Sequence, residues 1–353
     1  MSRRAVSGWL LASLVLVSLT GCGGSGGSQA AASSSSADKK VPPKAIELLN
    51  VSYDPTRELW RELNEAFIKD YTATSGGELT IKQSHGGSSS QARSVIDGLE
   101  ADVVTLAMWN DVDAIRKAGL VAEDWESSLP NRALPYVSTI VFVVRKGNPK
   151  QIKDWADLIK GDTKIITPSP KTSGNGKLSF LAAWGAVLKN GGSEADAEKF
   201  VTELYSRVPV LDSGARGSTT TFAQKGIGDV HLTWENEAYL EVEEAKGELE
   251  IVFPTISIRA EPPVAVVSGN TKRKGSQAAA EAYLKYLYTP AGQAIIAKHH
   301  YRPTNEKVLA EHAKNFPSIK LFAVTDVAKD WADAQAKYFA EGTVFDRVYK
   351  PAK

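Results

Sequence analysis

A single cysteine, Cys22, stands among 353 residues, so no disulfide framework can staple this chain. Methionine occurs twice and histidine five times, too sparsely for a metal-binding tract. Charge of one sign is not in surplus: 42 basic and 41 acidic residues give a net +1. The basic residues form no stripe interleaved with aromatics, which argues against nucleic-acid binding. No Gly-x-Ser-x-Gly elbow, Walker loop or dinucleotide fingerprint is present. The stretch Ser173-Gly174-Asn175-Gly176-Lys177 lacks the spacing and the following Ser/Thr of a phosphate loop. His299 and His300 are adjacent, and neighbours on a helix point apart. No enzyme activity, cofactor or metal is expected. What remains is 42% hydrophobic and 24% charged, the composition of a globular protein with room for two domains.

The N-terminus reads as a leader. Arg3 and Arg4 precede a short apolar stretch over residues 9–19, too short to span a bilayer. Leu19-Thr20-Gly21-Cys22 resembles a lipoprotein cleavage box, so residues 1–22 are expected to be a signal with Cys22 the lipidated position. Cleavage would remove two arginines and no acid, leaving a net charge of −1. Residues 23–44, rich in Gly, Ser and Ala, read as a flexible tether. The expected location is periplasmic or extracytoplasmic, with the membrane held through the N-terminal lipid.

From Ile46 onward short apolar runs alternate with helical periodicity. Strands are expected over 46–52, 79–83, 102–108, 139–145, 164–167, 208–211, 229–233 and 264–268. Ala92, Val95, Ile96 and Leu99 follow helical spacing. The alternation predicts α/β architecture with mostly parallel sheets. There is a weak internal echo: Asp102-Val103-Val104-Thr105-Leu106 and Asp229-Val230-His231-Leu232-Thr233 are each followed by a Trp, and later by a Pro-led apolar run.

Ligands of open α/β sheets bind beyond the carboxyl ends of strands. Four turns there are rich in Gly and hydroxyl residues: 52–58, with Asp54 read as a helix cap before Pro55; 84–90 (SHGGSSS); 169–176 (SPKTSGNG); and 212–218 (DSGARGS). Glycine admits close backbone approach, serine supplies a hydroxyl, and a helix start offers unpaired N–H groups. Any one such turn is equally a capped helix after a tight loop. Four at the same end of successive strands point to an anion site that needs no formal positive charge.

These residues resemble a known family. Leu49 to Glu58 (LNVSYDPTRE), Gln83 to Ser88 (QSHGGS), Ser138 to Gln151, Asp212 to Thr219, Gly226 to Ala238 (GIGDVHLTWENEA), Ala282 to Tyr288 and Tyr301-Arg302-Pro303 are similar to the bacterial sulfate/thiosulfate-binding proteins. The resemblance implies a two-lobed periplasmic binding protein fold of type II-like topology, with the ligand cleft between lobes. The lobes are placed at 45–135 with 262–305, and at 136–261 with 306–353. It implies a monomeric receptor that hands sulfate or thiosulfate to the permease of an ABC importer. It further implies Asp54, Gly174, Asn175 and Ala215 as amide donors, Ser88 and Ser173 as hydroxyl donors, and Trp234 as an indole donor. Asn175 departs from the family's second glycine, and its side chain could crowd the site or add a contact. Arg216 is expected to hold a turn beside an acid, and His85 to be packed or hydrogen-bonded. Sulfate carries no proton at neutral pH, so a donor-only pocket suits it, whereas protonated phosphate would bring an unpaired O–H. The rivals are molybdate, selenate or phosphate in the same kind of receptor, and a hydrolase of anionic esters.

Overall fold

The computed structural model describes residues 45–349; the leader, the tether and Cys22 lie outside them. Two four-stranded sheets organise the fold. The first has strand order β10-β3-β1-β2, with β1 Ile46–Tyr53, β2 Leu79–Gly86, β3 Val103–Thr105 and β10 Val264–Val266. The second has order β6-β7-β5-β8, with β5 Ile140–Arg145, β6 Ile165–Ile166, β7 Val230–Trp234 and β8 Leu249–Val252. Helices cover both, so each sheet is the centre of its own lobe. The apolar run of β5 (IVFVVR) is buried along almost its whole length, as expected for a strand covered on both faces.

The chain crosses between the lobes three times. β4 Tyr136–Val137 and β11 Arg302–Pro303 pair on the side of the first sheet; β9 Ile256–Ile258 and β12 Lys320–Phe322 pair on the side of the second. Two of the crossings are tied by Ser138 and Ala260, which exchange backbone hydrogen bonds of 3.0 and 2.9 Å.

Two expectations need correction. The sheets are mixed, not mostly parallel: β1 runs parallel to β2 and β3, and β6 to β7, but β10 is antiparallel to β3, and β5 to β7 and β8. The antiparallel members, β5 and β10, are the strands that enter from the other lobe, and this is the physical content of the internal echo. Residues 208–211 form no strand. Pro209 removes a donor from the segment; Val208 N–H bonds back to Tyr205 O at 3.2 Å, and the sheet-side bonds fall on the flanks, Ile165 N–H to Arg207 O at 3.0 Å and Ser169 N–H to Asp212 O at 2.8 Å.

The longest helix of the second lobe, Gly174–Lys189, starts at an N-cap serine, Ser173, and is buried on nearly all sides. Its Phe180 packs against Trp184, Tyr205, Phe339 and Phe345, so the C-terminal segment clamps it. A helix held this firmly fixes where its N-terminus points.

Candidate anion site

Strand-to-helix junctions of both lobes meet around one small cavity of about 10 Å³. Its wall includes all seven residues singled out in the sequence: Asp54, Ser88, Ser173, Gly174, Asn175, Ala215 and Trp234. Each is at most 9% exposed.

On the first lobe, Asp54 opens a single 3₁₀ turn, Asp54–Thr56, directly after β1. Tyr53, not Asp54, occupies the cap position. The Asp54 carboxylate instead takes a bond from Arg57 at 2.7 Å, because Arg57 lies one turn on. The turn is pinned by Thr56, whose hydroxyl donates to Tyr53 O at 2.7 Å. Asp54 therefore offers the cavity a backbone N–H with no intrahelical partner. Ser88 begins the helix Ser88–Ile96. Its hydroxyl donates to Asp111 Oδ2 at 2.5 Å and accepts from Ala107 N at 3.0 Å. One hydroxyl has one proton, so Ser88 too presents its N–H, where a hydroxyl donor was expected.

On the second lobe, the Ser173 N–H is bonded to Ser169 O at 2.9 Å. Its oxygen accepts from Gly176 N at 3.5 Å, which leaves the hydroxyl proton free to donate. Gly174 and Asn175 are the first residues of their helix, with unpaired N–H groups and the positive end of its dipole. The Asn175 side chain turns away, donating to Leu232 O at 3.4 Å and accepting from Ser179 Oγ at 3.3 Å; it neither crowds the cavity nor adds a contact. Ala215 starts the short helix Ala215–Thr219. Trp234 ends β7 fully buried, its ring 5.2 Å from that of Tyr53. Its indole Nε1–H is buried with no hydrogen-bond partner, an arrangement rare in proteins unless a ligand or water completes it.

No lysine or arginine lines the cavity. The cations around it are tied to carboxylates: Arg216 reaches Glu58 and Glu237, each at 3.1 Å, and Lys177 lies 3.8 Å from Asp111 and donates to Ser89 at 3.0 Å. Burial pushes the Glu237 carboxyl up to about 7 although Arg216 pulls it down. Burial also lowers the pKa of His85, whose ring bonds Tyr53 O at 3.1 Å and Gln83 Oε1 at 2.8 Å. His299 bonds Glu62 at 2.8 Å, while His300 stacks on Tyr239. Among the described residues, no group of three or more His, Cys, Asp or Glu could hold a metal ion.

Tyr53, Pro55, Gly86 and Gly87 also line the cavity and were not singled out as binders. The double glycine was the available signal. A Cβ at Gly87 would lie 2.5 Å from Thr172 O and 3.1 Å from Ser213 O, so here the two lobes touch main chain to main chain.

A family model described as bacterial extracellular solute-binding protein matches residues 49–302. The chain belongs to that family. This solute-binding protein is 52% identical over 316 residues to the sulfate-binding protein of Escherichia coli, covering 89% of this chain and 96% of that one. It is also 52% identical over 306 residues to the thiosulfate-binding protein of Pseudomonas aeruginosa, covering 86% and 92%. The solved sulfate-binding protein SubI of Mycobacterium tuberculosis superposes with a TM-score of 0.75 at 33% identity, over 82% of this chain and 98% of that one.

Proposed function

We propose that this solute-binding protein captures sulfate or thiosulfate between its lobes and delivers it to the permease of an ABC importer. The observation that carries this reading is the meeting of the seven residues around one small cavity, with the Trp234 indole N–H buried and unpartnered. Each hydrogen bond to a charged group contributes about 1.5–3 kcal/mol, so several together offset the desolvation of a dianion without a contacting cation. The one carboxylate in the wall, Asp54, has its Oδ1 held by Arg57, and the groups read as ligands are all donors, which favours a fully ionised oxyanion over protonated phosphate. The names of the relatives supply the same ligand class.

The binding set is Asp54, Ser88, Ser173, Gly174, Asn175, Ala215 and Trp234. The lobes comprise 45–135 with 262–305, and 136–261 with 306–353. The receptor works as a monomer outside the cytoplasm, tethered through lipid on Cys22, and performs no chemistry on its guest.

Isothermal titration with sulfate, thiosulfate, molybdate and phosphate tests the reading. Sulfate or thiosulfate should bind at least about tenfold more tightly than phosphate, the cost of one unpaired buried O–H. Tighter binding of phosphate would overturn it.

A further inference from the structure

The backbone carbonyl of Pro55 belongs to the turn that carries the Asp54 amide. Two side chains converge on it. Tyr301 Oη donates to Pro55 O at 2.9 Å. Asn236 Nδ2 donates to Tyr301 Oη at 2.8 Å and approaches Pro55 O at 3.4 Å. Asn236 is 6% exposed and Tyr301 1%, so none of these bonds competes with bulk water. Tyr301 packs in the core of the first lobe with Tyr136 and Tyr283, its ring 4.6 Å from that of Tyr136. Asn236 sits in the first turn of the helix Glu235–Glu244 of the second lobe, two residues beyond Trp234. The helix start that presents the indole of one lobe thus grips the turn that presents the Asp54 amide of the other.

We propose that Asn236 and Tyr301 form an uncharged latch on the Pro55 carbonyl. The latch positions the Asp54 amide and holds the lobes together around the guest. Neither residue touches the cavity; both act through the turn, as positioning residues. The latch differs in kind from the half-exposed contact of Arg216 with Glu58. A surface ion pair weakens as salt screens it, whereas buried neutral hydrogen bonds do not. The proposal rests on the receptor reading above, because only a guest held between the lobes makes the lifetime of the closed form observable.

Stopped-flow tryptophan fluorescence on the full chain tests it, with wild type, Asn236→Ala, Tyr301→Phe and the double variant. The ligand is sulfate or thiosulfate, whichever wild type binds more tightly. Each single variant should raise the dissociation rate about tenfold and leave the association rate within about twofold, the loss of one or two neutral hydrogen bonds. The ratio should be the same at ~0.05 M and ~0.5 M salt, where exposed charge contacts differ. The double variant should be little worse than either single one, since both donors serve one acceptor. The melting temperature of the ligand-free protein should stay unchanged. Unchanged dissociation rates, a salt-dependent effect, or a loss that follows a lower ligand-free melting temperature would each overturn the latch. Wild type that bound neither anion would defeat the receptor reading and the latch with it; wild type that binds, beside variants that release like it, would defeat the latch alone.

Discussion

The two lobes build their halves of the cavity from similar sequence, Gly- and Ser-rich turns ahead of helices, and use it differently. On the first lobe Asp54 and Ser88 are already engaged, Asp54 with Arg57 and Ser88 with Asp111, and offer main-chain amides, while Tyr53, also in the wall, keeps a buried hydroxyl without a partner. On the second lobe Ser173 keeps its hydroxyl proton and Trp234 keeps an unpartnered indole N–H. On the proposed reading, the second lobe supplies the Ser173 hydroxyl and the Trp234 indole, and the first lobe mainly backbone amides. The same turn chemistry can cap a structure or serve a guest, and the partner of each hydroxyl decides which.

The sharpest way to break this asymmetry is Trp234→Phe. It keeps one aromatic ring and removes the five-membered ring that carries the N–H, so sulfate affinity should fall by at least about 1.5–3 kcal/mol, the worth of a hydrogen bond to a charged group. Titration calorimetry measures this, and an unchanged dissociation constant would refute the role given to the second lobe. Next comes a matched pair of serines. Ser173→Ala should weaken sulfate binding by about 1–3 kcal/mol, with a stability cost near the low end of about 0.5–2 kcal/mol because its cap bond to Gly176 N is long. Ser88→Ala should do the reverse: it strands the Asp111 carboxylate and the Ala107 amide and costs about 1–3 kcal/mol of stability. Its sulfate dissociation constant should move by about threefold or less. Equal effects of the two on binding would erase the distinction between lobes. The smallest effect is expected for Asn175→Gly, since the side chain points to Leu232 and Ser179. Affinity should change by less than about 0.5 kcal/mol, the ordinary scale for a substitution away from the chemistry.

Much of this was legible in the chain. The strand-to-helix turns could be read because Gly, Ser and a following helical period mark a local event, and the cavity lies where four such turns meet. The resemblance of LNVSYDPTRE and GIGDVHLTWENEA to a known family added Trp234, which no local rule distinguishes from a core tryptophan. Long-range partners were not legible. Ser88 read as a hydroxyl donor because nothing near it announces Asp111, 23 positions away. The Asn236–Tyr301–Pro55 cluster joins residues 65, 181 and 246 positions apart, beyond any local pattern. Strand direction failed for a related reason: a strand that arrives from the opposite lobe carries the same apolar residues as one that stays at home.

The bare contact of Gly87 with the Thr172 and Ser213 carbonyls sets a mechanical stop. The travel of the two jaws ends on the polypeptide itself, as calipers end on metal, and not on adjustable side chains. A methyl group at position 87 would work as a shim, holding the jaws ajar by the width of one carbon. Such a protein would keep its architecture yet grade its guests by a coarser gauge, retaining small oxyanions badly and admitting bulkier ones.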